Sequence, residues 1–256
     1  MTTIQSVPLL EAESLAFFEP EKSVFGIAGP QVSVMFSGKG DAQTLGFAVS
    51  DVQQLTTLST TRWQAQMQSA KGAFELDWKS KDQGAHLDSS EIIVCDVSGR
   101  VTENEKRERR FKSFGVSTLP SRRMGPPILR SIVAMFDNGD SFFLNAYKPA
   151  VYHGHGDERN DAVLIESGQA NPIADARLST VFSKNDLHTQ AALELWLEDD
   201  ELPRRITGEA IPGTHVELTD RDVALAFYNW TMGPHSGIGY YEIALAAPPR
   251  IAAGSM

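Results

Sequence analysis

Apolar and polar residues alternate one by one through much of this chain. In RWQAQMQSA, Trp63, Ala65 and Met67 fall on one side and Gln64, Gln66 and Gln68 on the other. GAFELDWKS repeats the pattern, setting Phe74, Leu76 and Trp78 against Glu75, Asp77 and Lys79. A period of two belongs to a strand with one buried and one solvated face. SVFGIAG, QVSVMF and EIIVCDVSG are more continuously apolar but keep strand length and glycine at an end. SGKGD reads as a hairpin turn into TLGFAVSDV, and Asp137-Asn138-Gly139-Asp140 as a tight turn between ILRSIVAMF and SFFLNAY. HTQAALELWLED has the Ala and Leu content of a helix. Its alternation of Ala192, Glu194 and Trp196 with Leu193, Leu195 and Leu197 makes it a strand. The charge-dense TENEKRERRFKSFG reads as a polar connector or an exposed edge strand, because Phe111 and Phe114 extend no helical stripe. Near the end, GPHSGIGYYEIAL reads as a glycine turn at Gly237-Ile238-Gly239 running into a strand. Tyr240, Glu242 and Ala244 then share one face of that strand, and Tyr241, Ile243 and Leu245 the other.

Strand-sized runs recur about every 8–12 residues, some twelve to sixteen by roughly this spacing, with almost no helix, which is the signature of sandwich and barrel architectures. At 256 residues two sheet systems packed together are expected rather than one. No tandem repeat is visible in the sequence.

Composition changes this picture in three ways. With 33 acidic and 23 basic residues the net charge is −10, the wrong sign for a nucleic-acid binder. No apolar run nears the ~18 residues of a membrane-spanning helix, and the N-terminus has neither a basic segment nor a continuous apolar one, so no membrane insertion and a cytoplasmic location are expected. The single cysteine, Cys95, can form no internal disulfide and sits in a strand pattern that makes it a core residue.

Four segments in order resemble the two-domain, lipocalin-like family of carotenoid 1,2-hydratase (hydroxyneurosporene synthase) and tocopherol cyclase-like proteins. They are EIIVCDVSGRVTENEKRERRFKSFG, RMGPPILRSIVAMFDNGDSFF, LPRRITGEAI and FYNWTMGPHSGIGYYEIAL, spanning about residues 90 to 247. The resemblance implies two lipocalin-like antiparallel β-barrel or sandwich units, residues 1–110 and 111–256, and places Glu242 at the acid of a closing G-x-G-x-x-E strand. It also implies chemistry on an isoprenoid, steroid-like or polyketide molecule. Where many members carry R-D-H-S-W-G, this chain reads LPSRRMG from Leu119 to Gly125, so an acid supplied there must sit elsewhere.

A carboxylate on a buried strand face must be paired or take up a proton. Glu242, helped by Tyr240, could therefore serve as an acid inside an apolar barrel, or it could hold the sheets together by pairing with Arg122 or Arg123. That arginine pair could instead clamp a developing negative oxygen. Trp63, Trp78, Trp196, Tyr228 and Trp230 either line a substrate cavity or fill the core. His153 and His155, with Asp157 two residues on, share a strand face and loosely resemble a cupin metal motif, with His215 as a distant partner, but their glycines favour a ligand-gating or surface loop. The reading that emerges is an enzyme of the lyase or isomerase kind, needing no cofactor and no metal, that hydrates, cyclises or isomerises a hydrophobic small molecule. A non-catalytic carrier and a metal-dependent cupin-type enzyme are the alternatives, and a homodimer is allowed.

Overall fold

The computed structural model describes residues 14–29, 33–37, 52–69, 72–88, 90–103, 107–120, 128–147, 158–198, 200–217 and 221–246. Among these residues, apart from one 3-10 turn at Pro20–Lys22, the regular elements are strands. The first eight are β1 (Ser14–Glu19), β2 (Val24–Ala28), β3 (Ser33–Ser37), β4 (Val52–Ser59), β5 (Arg62–Ser69), β6 (Gly72–His86), β7 (Ser90–Glu103) and β8 (Arg107–Pro120). The next nine are β9 (Ile128–Phe136), β10 (Ser141–Tyr147), β11 (Arg159–Glu166), β12 (Gln169–Pro172), β13 (Asp175–Phe182), β14 (His188–Trp196), β15 (Arg204–Glu217), β16 (Arg221–Met232) and β17 (His235–Ala246). This is the all-β, two-unit architecture the alternation predicts, with one strand more among the described residues than the expected range. The expected boundary after residue 110 falls inside β8, and the compact units divide after Arg123, with residues 87–89 joining the second.

Each unit is one curled antiparallel sheet, and the two share a plan. The first runs β3-β2-β1-β8-β7-β6-β5-β4, the second β12-β11-β10-β9-β17-β16-β15-β14-β13. In both, a short meander and a longer one meet where the unit's first strand pairs with its last. Among the described residues this is an up-and-down barrel with one unpaired seam, β3/β4 or β12/β13. The plan therefore repeats although the sequence does not.

Alternation decides what faces inward. Trp63, Ala65, Met67, Phe74, Leu76 and Trp78 all lie in the first unit's core, and Phe17 meets Trp78 edge-on at 6.2 Å. Cys95 is fully buried, and burial pushes its thiol up to about 12, so it is an unreactive core group. The charge-dense segment forms the β7–β8 hairpin, Glu103 opposite Arg107. Because β1 reaches only Phe114–Thr118, the start of β8 has β7 as its single strand partner among the described residues, as an exposed edge strand would.

The glycine-rich stretch differs from its expectation. The chain turns earlier, at Gly233-Pro234, with Gly233 at φ +57° and Met232 opposite His235. Gly237 and Gly239 lie within β17. Trp230 is flanked in register by Gly208 on β15 and Gly237 on β17, and a Cβ on Gly208 would sit 2.4 Å from the Trp230 ring. Gly208 thus leaves room for the Tyr228–Trp230 stack, 4.8 Å between centroids, while Gly237 leaves room for Phe136 on β9. Gly208→Ala is therefore expected to lower stability by about 1–3 kcal/mol through overpacking, read as a lower denaturation midpoint with unchanged slope.

Candidate functional site

The inner wall of the second unit is apolar over most of its area: Ile132, Leu144, Ala162, Leu193, Leu195 and Ile206 are all in its core. One group of polar side chains converges within it. Arg130 on β9 donates from Nη1 to the Tyr241 hydroxyl at 3.0 Å and, more weakly, to Thr180 at 3.4 Å. Its Nη2 donates to Glu158 Oε1 at 3.0 Å. Thr180 Oγ1 and the Tyr241 hydroxyl lie 2.9 Å apart, closing a triangle across β9, β13 and β17. The Arg130 and Glu158 side chains are only 11% and 12% exposed. Burial works against the Arg130 charge, but Tyr241 and Glu158 more than offset it and hold the guanidinium firmly protonated. Burial likewise pushes the Tyr241 phenol up, against the pull of Arg130 and Thr180.

His188 stands beside this triangle, its ring 4.4 Å from that of Tyr241. Nε2 lies 3.2 Å from the Ala224 carbonyl oxygen, which can only accept, so Nε2 carries the proton and donates. Nδ1, 2.9 Å from the Tyr228 hydroxyl, then accepts from it. Burial pushes His188 down to about 4; the bond to Ala224 partly offsets this, while His215 and Arg130 add to it. Tyr228 is pushed up by burial and by neighbouring Tyr241, in keeping with a neutral phenol that donates. With both nitrogens engaged, His188 orients Tyr228 and has no free lone pair with which to act as a base.

The residues singled out from the sequence are distributed differently. Tyr241 and Ile243, not Tyr240 and Glu242, are the β17 residues in the inner-wall cluster. Glu242 is half-buried on the opposite face, in register with Ser131 and Leu225. Tyr240 is buried on that same opposite face, beside Val133 and Phe227. Trp63 and Trp78 pack in the first unit's core while Tyr228 and Trp230 pack in the second's, so no single cavity gathers the aromatics. Trp196 is on the outward face of β14, with the Arg177 guanidinium 4.7 Å from its ring centroid. Arg122, Arg123, His153, His155 and Asp157 lie outside the described residues. Glu158 serves Arg130, and exposed His215 has Nε2 3.0 Å from the Asn185 carbonyl. Among the described residues no three His, Cys, Asp or Glu side chains come together as a metal site would need. No helix among them is long and apolar enough to cross a membrane. Two shallow depressions, about 360 and 280 Å³, are on outward faces, the larger floored by Ala192, Thr207 and Thr231 and the smaller by Gln68 and Thr102.

Fold and cluster together define a class: an all-β protein of two lipocalin-like half-barrels, with one buried polar group of residues in the second. Comparison with solved structures places a particular protein beside it. The crystal structure of NE1406 from Nitrosomonas europaea, provisionally named AttH, is similar with a TM-score of 0.61, over 95% of this chain and 98% of that one. At 10% identity the likeness is one of fold. The chain matches no protein-family model and no curated protein, so nothing here singles out the carotenoid hydratases.

Proposed function

We propose that the chain is a cofactor-independent enzyme of the lyase or isomerase kind, acting on a hydrophobic small molecule held against the inner wall of the second half-barrel. The Arg130–Tyr241–Thr180 triangle carries this reading: a phenol buried in an apolar wall, oriented by a hydroxyl and bonded to a guanidinium. Tyr241 is the proton donor or hydrogen-bond clamp for hydration, cyclisation or isomerisation. Arg130 stabilises the phenolate as it forms, a donor aimed in advance at developing charge. The apolar wall holds the substrate in a reactive fold. Glu242 and Tyr240, on the other face of β17, have no part in the step. A substrate of this kind suits a protein working in the cytoplasm without membrane insertion.

A carrier is the second reading. It is supported by the closely stacked Tyr228 and Trp230 and by the full engagement of both His188 nitrogens. Native mass spectrometry of the purified protein identifies the bound molecule, and Tyr241→Phe separates the two readings. The phenylalanine keeps the ring and loses only the hydroxyl. An enzyme then keeps its ligand and loses about 10²–10⁴-fold in turnover; unchanged turnover, or a change confined to affinity, overturns the catalytic reading.

A further inference from the structure

β13 is an end strand of the second sheet, and two hydrogen bonds tell which of its peptide groups face away from β14. The Val181 carbonyl accepts from Thr189 Oγ1 on β14, and the Ala176 carbonyl accepts from Asn160 Nδ2 on β11. Backbone groups of successive strand residues point to opposite sides. The odd-numbered residues of β13 therefore bond to β14, and Leu178, Thr180 and Phe182 turn their N–H and C=O groups to the outer edge. β11 begins only at Arg159, where Asn160 caps Ala176, and among the described residues β14 is the single strand paired with β13. This edge lacks the usual protections. β12, at the other end of the sheet, is four residues long and ends in Pro172. β13 carries no proline and no charge from Leu178 to Phe182. Its last two residues are apolar and open to solvent, Val181 at 53% and Phe182 at 49% exposure.

The edge also matches its own reverse. Antiparallel pairing about Thr180 sets Thr180 against Thr180 of a second copy and Leu178 against Phe182, with the outward-turned peptide groups in step and about six new backbone bonds. Leu178, which packs on the core, then covers the exposed Phe182 ring. Ser179 meets Val181 and Arg177 meets Ser183, so no like charges oppose each other. The neighbouring registers fail. Pairing about Ser179 puts Phe182 against Ala176, whose carbonyl Asn160 already holds. Pairing about Val181 puts Leu178 against Lys184. We infer that β13 binds a second copy of this chain, edge to edge and antiparallel about Thr180. So short an edge buries less than the ~800 Å² per partner of a standard interface, so the dimer is weak, with a Kd of about 10–100 μM.

Sedimentation equilibrium of the whole chain, from about 1 μM to about 1 mM, tests this. The mass is expected to rise with concentration toward that of two chains. Phe182→Lys, at a half-exposed position, sets a charge against Leu178 twice per dimer. It is expected to weaken association by roughly tenfold or more and to leave the unfolding midpoint unchanged. Cysteines test the register. Ser179 and Val181 of the two copies form a non-hydrogen-bonded pair, whose Cα spacing of about 4.5 Å suits a disulfide. Buried Cys95 stays out of the reaction. A mixture of the Ser179→Cys and Val181→Cys proteins should cross-link under oxidation several-fold faster than either alone, and this decides the matter if Phe182→Lys does not fold. A monomer at every concentration overturns the proposal; protection of the Leu178, Thr180 and Phe182 amides from hydrogen exchange in that monomer would show the edge to be covered by the chain itself. A dimer indifferent to Phe182→Lys puts the contact elsewhere and overturns it too. Cross-linking that is fastest in an unmixed variant overturns the register.

Discussion

Arg130→Leu is expected to lower the unfolding free energy by about 3–5 kcal/mol, and adding Glu158→Leu to recover most of the loss. The asymmetry follows from desolvation. Both side chains are nearly out of water, at 11% and 12% exposure. Removing the guanidinium leaves the Glu158 carboxylate in that setting without its counter-charge and also removes a donor from Tyr241 and Thr180. Two leucines leave no buried charge behind. Arg130→Lys should fall between, since an ammonium cannot hold Tyr241 and Glu158 with separate nitrogens. Denaturant unfolding of the three variants is the measurement. A single-variant cost below about 1 kcal/mol, the range of surface pairs, would show the pair to be solvated.

The second large effect is a dependence on pH. His188 has an ordinary value of 6.5 and is pushed down to about 4 when folded. The unfolded chain therefore takes up this proton first as pH falls. The stability tied to neutral His188 is fully present above about pH 6.5, falls progressively below it, and is lost by about pH 4. The difference corresponds to roughly 3 kcal/mol at about 1.36 kcal/mol per unit. Protonation also turns Nδ1 into a donor, so the Tyr228 hydroxyl must turn to accept from it and loses the acceptor for its own proton. The check is a comparison of the protein with His188→Gln by urea unfolding at pH 7 and at pH 4. The variant should lose much less between the two; equal losses would mean that His188 is not the titrating group.

What the sequence makes legible follows from how strands are buried. β5 and β6 have one wet face, so Trp63, Ala65 and Met67 declare their side, and the structure puts them there. β17 is covered on both faces along its middle: Ile238 and Tyr240 are 5% and 4% exposed, Tyr241 and Ile243 0% and 3%. With no polar face to set the phase, a carboxylate was the natural residue to turn inward, and the alternation could not show that Tyr241 held that place. Arg130 did leave a signal. It is the one charge in ILRSIVAMF and shares the parity of Ile132, Ala134 and Phe136, a polar residue where the pattern asks for an apolar one. His188 left none. The register shift between Val181 and Phe182 breaks the phase of β14, so His188 is buried although it is out of step with Ala191, Leu193 and Leu195. Glu158 and Thr180 join the cluster through the meeting of distant strands, which local patterning does not encode.

The pairing of the first strand of each unit with its last has a consequence for how the protein is made. Ser131 faces Glu242 across β9 and β17, and Phe17 faces Gly115 across β1 and β8. During synthesis the early strand of each unit waits through the whole of that unit before its final neighbour leaves the ribosome. Contacts so remote along the chain carry a large loop-closure cost and slow the final step. Until then β9 offers an unpaired edge, and a nascent chain stalled short of β17 would be the form most in need of a chaperone.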